Sequence, residues 1–393
     1  MPDAAAAAGV RGGAGLPLLG ESLTPRGQHV SGSRFKRGEP ESDPLLRFRG
    51  LLAPTFPDLM AALPRVFASR RLPGSALERL ARQVDLTVWP GTEGPAPEAL
   101  RRAAHDAEGL LCLLTDRIDR PLLDACPRLR VISTCSAGVD HVDLAAVNER
   151  GISLGHTPGV LSETTADLAF ALLLAAGRRI AEADRFVRGG QWTSERRWAP
   201  EMLLGRDLWG ATLGIVGLGE IGTAVARRAG GFGMRILGWS RSPREVPGAE
   251  WVGELDTLLS ESDFVTIHLP LTEQTRGLLG PERLERLKPG AVVVNTARGG
   301  ILDEDALAAA LRSGRVAAAG LDVFEEEPLS TASPLRSFDN VVLLPHIGSA
   351  SVATRSRMAD VSVDNLLAGL AGKPLPSAVP GLVGPGEPSP RGR

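Results

Sequence analysis

Residues 212–222 read TLGIVGLGEIG, an apolar run that opens into three glycines, Gly217, Gly219 and Gly222, just ahead of the helical segment AVARRAGGF. The order of strand, glycine turn and helix gives the G-x-G-x-x-G spacing its meaning. The first glycine permits a tight turn, the second lets backbone approach a pyrophosphate, and the third lets helix pack on strand. Amides at the start of that helix would hold the phosphates. The spacing therefore predicts a dinucleotide site, with Leu218, Glu220 and Ile221 on the same loop.

Downstream, five more strand-like runs follow: MRILGW, DFVTIHL, AVVVNT, VAAAGLDV and NVVLLP. Six strands with helical crossovers make a doubly wound dinucleotide fold, whose ligands bind at the carboxyl ends of the strands. Upstream, shorter apolar runs at residues 65–68, 84–88, 110–114 and 130–134 alternate with helical stretches and predict a second parallel sheet. Between the two series, SETTADLAFALLLAAGRRI predicts one helix over residues 162–180, opened by residues suited to a helix start. It is apolar on more than one face, which suits a hinge or a subunit interface.

The expected architecture is α/β, with two Rossmann-like domains built on parallel sheets. A dinucleotide-binding domain, residues 158–345, is inserted into a flavodoxin-like substrate domain made of 65–157 and 346–375. Residues 1–64 carry an alanine run, glycines, prolines and few periodic apolar positions, and predict a disordered extension. Asp3, Glu21 and Glu39 among its arginines weigh against a transit peptide. The more apolar stretch at 45–63 could form a short helix, and 376–393 a flexible tail.

Composition narrows the chemistry. A chain of 393 residues with 43% hydrophobic content can build two cores and a cleft. Its net charge of −2, with acids and bases mixed, offers no footprint for nucleic acid or anionic membrane. Its longest apolar run, near residues 168–176, is too short to span a bilayer. Cys112, Cys126 and Cys135 lack zinc or dithiol spacing, so no metal is expected and a reducing, cytoplasmic setting is. The absence of tyrosine removes the Tyr/Lys acid pair of short-chain dehydrogenases.

Function should sit just past the strand ends. After the second strand an NAD-binding fold places an acid for the ribose; here Ser240 and Arg241 stand instead, and both suit a 2′-phosphate. NADP(H) is therefore expected over NAD(H). Later strand ends carry Arg298 in NTARGG, Glu327 in GLDVFEEEP and His346 in LLPHIGSAS. Taken singly, each has a plain alternative: a structural ion pair, a solvated acidic run, a satisfied core histidine.

Taken together with STCSAGVDHVD, HTPGVLSETTADLAFALLLA and HLPLTEQT, in this order over residues 65–375, the chain resembles the D-isomer-specific 2-hydroxyacid dehydrogenase family, and within it the glyoxylate/hydroxypyruvate reductases. The resemblance implies reduction of small 2-oxo acids such as glyoxylate and hydroxypyruvate to D-2-hydroxy acids, with Arg298, Glu327 and His346 catalytic. His346 would donate the proton to the carbonyl oxygen, Glu327 would orient its ring, and Arg298 would hold the substrate carboxylate and carbonyl. It also implies a substrate loop at Ala137 and Gly138, with Leu114 and Thr115 on the opposite wall. Cofactor contacts are implied at His268, Pro270, Thr275, Thr296, Ala297, Asp322 and Gly348, and His268 is the alternative acid. Trp198 resembles a tryptophan that reaches across a two-fold dimer toward the neighbour's substrate, so a homodimer is expected.

Rival readings remain at this stage. Formate dehydrogenase-like members place Gln before the histidine, where this chain has Pro345. Phosphoglycerate dehydrogenases commonly add regulatory domains, for which the stretch after residue 375 is short. Related transcriptional corepressors keep the catalytic residues, and turnover would tell them apart.

Overall fold

The computed structural model describes residues 63–382 and, as backbone alone, the two-residue strand Leu46–Arg47. The extension expected over 1–64, with the short helix at 45–63, therefore lies almost wholly outside the described residues, and where it is described, at Leu46–Arg47, it is strand and not helix. The chain lays down two sheets in succession. The first holds β1 (Leu46–Arg47), β2 (Arg65–Ala68), β3 (Asp85–Val88), β4 (Gly109–Cys112), β5 (Val131–Thr134) and β6 (Ser153–Gly155). Their order is β1-β3-β2-β4-β5-β6, parallel apart from β1 on the edge. From β2 onward this is the flavodoxin-like order. Helices α1 (Ala76–Ala81), α2 (Pro97–Ala104), α3 (Arg120–Ala125) and α4 (Leu144–Glu149) form the crossovers.

Two helices then lead to the second sheet, α5 (Ser162–Gly177) and α6 (Ile180–Arg188). The single helix expected over 162–180 is thus two. Gly177 packs so closely on Phe264 that a Cβ would come within 2.8 Å of its ring, and Arg179 then takes a left-handed φ of 55° that ends the turn. Most of the apolar surface of α5 is used within this chain, where Phe170, Leu172 and Leu173 are buried and Leu168 and Leu174 half-buried.

The second sheet is parallel throughout. It contains β7 (Thr212–Val216), β8 (Arg235–Trp239), β9 (Glu250–Trp251), β10 (Phe264–Ile267), β11 (Ala291–Asn295), β12 (Val316–Leu321) and β13 (Val341–Leu343) in the order β13-β12-β11-β10-β7-β8-β9. Among the described residues this sheet has seven strands where six were expected; the two-residue β9 carries too little apolar sequence to be read. Helices α7 (Glu220–Gly231), α8 (Leu255–Glu261), α9 (Pro281–Arg286) and α10 (Glu304–Arg312) connect them. Every residue of β7, β10 and β11 is buried, because helices cover both faces, which is why these strands read as unbroken apolar runs.

The last helix, α11 (Val352–Leu370), does not stay with the second sheet. It packs on β4, β5, β6 and α1, closing one face of the first sheet with Ala359, Val363 and Leu366. The chain beyond 375 is held as well. Ala378 bridges to Gly155 and Val379 is buried in the first core, so a tail starting at 376 is set too early.

Candidate active site

The strand order reverses between β7 and β10, and the glycine loop sits at that switch point. Gly217 has a φ of 109°, and a Cβ there would lie 2.5 Å from the His268 carbonyl oxygen. A Cβ on Gly222 would lie 2.0 Å from the Gly217 carbonyl oxygen, so helix and strand touch only through glycine. Gly219 differs, since nothing lies within 4 Å of its missing Cβ. It caps the twelve-residue α7 without a side-chain partner, leaving its first amides facing open space. Leu218 is buried under Gly238 and Ile221 is half-buried, so both support the loop from behind.

Around this loop several buried polar atoms have no partner among the described residues: Thr296 Oγ1, Asp322 Oδ2 and His268 Nδ1. Such atoms are costly unless a ligand completes them. With the open face of Gly219, they fit a dinucleotide. Thr275 is used differently, because its hydroxyl donates to the Pro270 carbonyl at 2.7 Å and accepts from Thr272 N, shaping the turn. Ser240 donates to the Ser242 carbonyl, and Arg241 is exposed beside it. Arg244, which sequence reasoning missed, reaches back to the Leu218 carbonyl at 2.7 Å and adds a cation at the same corner.

Past β13, His346 takes a φ of 54°, a backbone position that disfavours side chains. Asp322 over-determines it. The Asp322 carbonyl accepts from His346 N at 2.9 Å, and its Oδ1 accepts from Ile347 N at 2.7 Å. The ring then places Nδ1 2.7 Å from Glu327 Oε2. The other oxygen of Glu327 accepts from Phe324 N at 3.1 Å. Burial pushes this carboxyl up, but the hydrogen bond and charge of His346 outweigh it and hold Glu327 below the ordinary carboxylate range. Burial wins at Asp322, whose carboxyl is pushed upward against the amides of Ile347 and Gly348.

Arg298 projects from the end of β11 toward the first sheet. Its Nε donates to Asp140 Oδ1 at 3.0 Å, and a Cβ on Gly138 would overlap its guanidinium. The turn behind it is fixed by Asn295, which donates to the Arg298 carbonyl and accepts from Ala297 N. Gly299 admits no Cβ, since one would sink into the Phe324 carbonyl group. In the facing loop, the Gly138 carbonyl accepts from Ser136 and the Ala137 carbonyl from His156. Asp140, Asn295 and Gly299 were not found from the sequence.

The structure thus brings Arg298, Glu327, His346 and the 137–138 loop to one cleft. A cavity of about 510 Å³ is lined by Arg298, Asp140, Leu114, Glu327 and His346, and a second of about 660 Å³ adjoins it beyond the His346–Glu327 pair, with Thr115 in its wall. His268 is not part of this set. It is buried, its Nε2 pairs with Thr266 at 2.9 Å, and burial lowers its pKa to about 3. Burial disfavours the protonated ring at His268, which makes it a poorer acid than His346. Trp198 is an exposed side chain and lines neither cavity. No group of potential metal ligands occurs among the described residues.

Comparison with known proteins is consistent with this geometry. A profile of the D-isomer specific 2-hydroxyacid dehydrogenase NAD binding domain matches residues 170–348. A glyoxylate reductase of Korarchaeum cryptofilum is 48% identical over 320 residues, covering 80% of this chain and 96% of that protein. Among solved structures, a protein of Thermus thermophilus is 49% identical with a TM-score of 0.76, covering 80% of this chain and 99% of that one. An NADPH-dependent glyoxylate/hydroxypyruvate reductase of Sinorhizobium meliloti, in complex with NADP and malonate, is 35% identical with a TM-score of 0.73, covering 81% and 97%.

Proposed function

The chain belongs to the D-isomer-specific 2-hydroxyacid dehydrogenase family, and from that premise we propose that it reduces small 2-oxo acids, glyoxylate and hydroxypyruvate among them, to D-2-hydroxy acids. The observation that carries the proposal is the His346–Glu327 pair at 2.7 Å, facing Arg298 across one cavity. When bound, the nicotinamide supplies the hydride. The chain's own groups do the rest. His346 Nε2 gives its proton to the carbonyl oxygen, while Glu327, accepting from Nδ1, fixes the ring's orientation and balances its charge. Arg298 and the backbone amides of Ala137 and Gly138 hold the substrate carboxylate and draw charge onto the carbonyl oxygen. Asp140, now on Arg298, occupies part of the place that a substrate carboxylate would take.

The dinucleotide would lie across Gly217–Gly222, with Thr296, Asp322, Gly348, Pro270, Ala297 and His268 around its nicotinamide end. Ser240, Arg241 and Arg244 favour the 2′-phosphate of NADP(H), because residues 240–244, just past β8, carry two guanidinium groups and no carboxylate. Residues 65–157 with 346–375 would form a substrate-binding unit that hinges against 158–345, closing on the ligand and expelling water. A two-fold dimer would bury the apolar residues exposed after α5: Ile180, Val187, Trp192, Trp198, Leu204 and Trp209.

Steady-state turnover of glyoxylate and hydroxypyruvate with each cofactor tests the reading. NADPH oxidation with a kcat/KM above that for NADH is expected. Absence of turnover with both cofactors would leave a binding protein rather than an enzyme, and equal use of both would remove the argument from Ser240, Arg241 and Arg244.

A further inference from the structure

A carboxylate held by the amides of Ala137 and Gly138 depends on which way two peptide groups point. In a trans peptide the C=O and the following N–H lie on opposite sides, so whatever holds a carbonyl also aims the next amide. The carbonyl ahead of the Ala137 amide belongs to Ser136, and it accepts from Thr157 N at 2.9 Å. The carbonyl ahead of the Gly138 amide belongs to Ala137, and it accepts from His156 Nδ1, also at 2.9 Å. Two adjoining residues just past β6 thus draw two successive carbonyls toward themselves. Both amides are turned away from that segment, and neither donates to an acceptor among the described residues. Adjacent N–H groups freed in this way suit an anion, and the Arg298 guanidinium lies against Gly138 beside them.

The holding segment is itself fixed from α11. Asn365, fully buried, donates to the His156 carbonyl at 3.1 Å and accepts from Ser377 N at 2.9 Å, while His156 N donates to the Ser377 carbonyl at 3.0 Å. A Cβ on Gly155 would lie 2.6 Å from the Asn365 side chain, so the strand end and the helix touch directly. The backbone of His156 is therefore held on both sides, and its half-buried ring makes the contact with the loop. A carbonyl only accepts, so the ring hydrogen in that contact sits on Nδ1. Thr157 gives a main-chain donor that most residues would supply. His156 gives a side-chain donor, which a substitution removes.

We propose that His156 is a positioning residue for the substrate carboxylate: its ring N–H holds the Ala137 carbonyl, and so keeps the Gly138 amide turned toward the bound acid. The inference rests on the reductase reading above and deepens it.

The test titrates oxamate, a small 2-oxo acid analogue that is not reduced, onto the full chain saturated with reduced cofactor, by calorimetry, alongside steady-state reduction of glyoxylate. His156→Leu removes the donor, and His156→Asn returns an N–H at the same remove from the backbone. In His156→Leu, oxamate binding should weaken by about tenfold, the worth of one hydrogen bond to a charged group, and KM for glyoxylate should rise to match. Cofactor affinity should hold, and kcat should change less than KM. His156→Asn should recover most of the loss. An oxamate affinity unchanged in His156→Leu overturns the proposal. Equal losses in His156→Leu and His156→Asn overturn it too, because the bulk of the ring and not its donor would then be what matters. His156→Ala provides a second variant without a donor; if it and His156→Leu both lose cofactor binding, the ring supports the fold at large and the proposal falls. If the wild type binds oxamate but reduces no acid, the reductase reading falls while the titration still decides this inference. If it does neither, both fall.

Discussion

Removing the imidazole tests His346 most directly, because its proton is needed in the transition state and not for holding substrate or cofactor. His346→Ala should lower kcat by roughly a hundredfold or more while cofactor affinity, read by fluorescence titration, stays near wild type. Glu327→Gln should act more mildly, since an amide can still orient the ring without balancing its charge. Its signature lies in pH. The depressed carboxyl of Glu327 contributes stability above the unfolded carboxylate range and loses it as pH falls through the lower folded value. Urea midpoints of wild type and Glu327→Gln should therefore differ at neutral pH and converge in acid. His268 makes the opposite kind of demand. With a folded pKa of about 3 it stays neutral while the unfolded chain takes up a proton, so stability falls as pH drops from the ordinary histidine range toward 3. That slope, at most about 1.4 kcal/mol per pH unit, should disappear in His268→Gln; an unchanged slope would mean that the ring is not the group responsible.

The glycine loop makes its prediction at the level of an element. Gly222→Ala forces a methyl into the Gly217 carbonyl and should lower Tm by several degrees. Gly219→Ala meets nothing in the protein, so Tm should hold while dinucleotide affinity drops, because the methyl enters the space a pyrophosphate would use. Equal thermal shifts in the two variants would contradict this division. The loop was legible from sequence because strand, glycines and helix are contiguous, and β7, β10 and β11 were legible because burial on both faces makes them unbroken apolar runs. The end of α5 was not, since the left-handed Arg179 follows from Gly177 packing against Phe264, a residue of another strand. Asp140 was missed for a similar reason: it meets Arg298 across 158 residues of chain, and no local spacing announces such a pair. Arg298, Glu327 and His346 could be named as candidates because each follows a strand whose end was visible.

Assembly belongs to the whole molecule. Most of the apolar face expected on α5 is consumed inside the chain, Leu168 and Leu174 staying half-buried, so the case for a dimer passes chiefly to the exposed side chains between Ile180 and Trp209. Sedimentation should show a dimer. If it does, Trp198→Ala should leave it associated and relax selection against bulkier 2-oxo acids, whereas dissociation would make this tryptophan structural and an active monomer would remove the trans role altogether.

The return of α11 to the first sheet has a consequence in time. A ribosome delivers the chain from its amino end, and the strands β2 to β6 emerge first, yet the face carrying Val66, Leu86, Leu111 and Val131 is covered only in part, by Ala76 and Leu80 of α1, until Ala359, Val363 and Leu366 follow. The second sheet, drawn from one continuous stretch, has all its strands by residue 343. The part synthesised last-but-one can therefore mature before the part synthesised first. Through most of translation the nascent chain carries an incompletely covered apolar sheet, the kind of surface on which chaperones act.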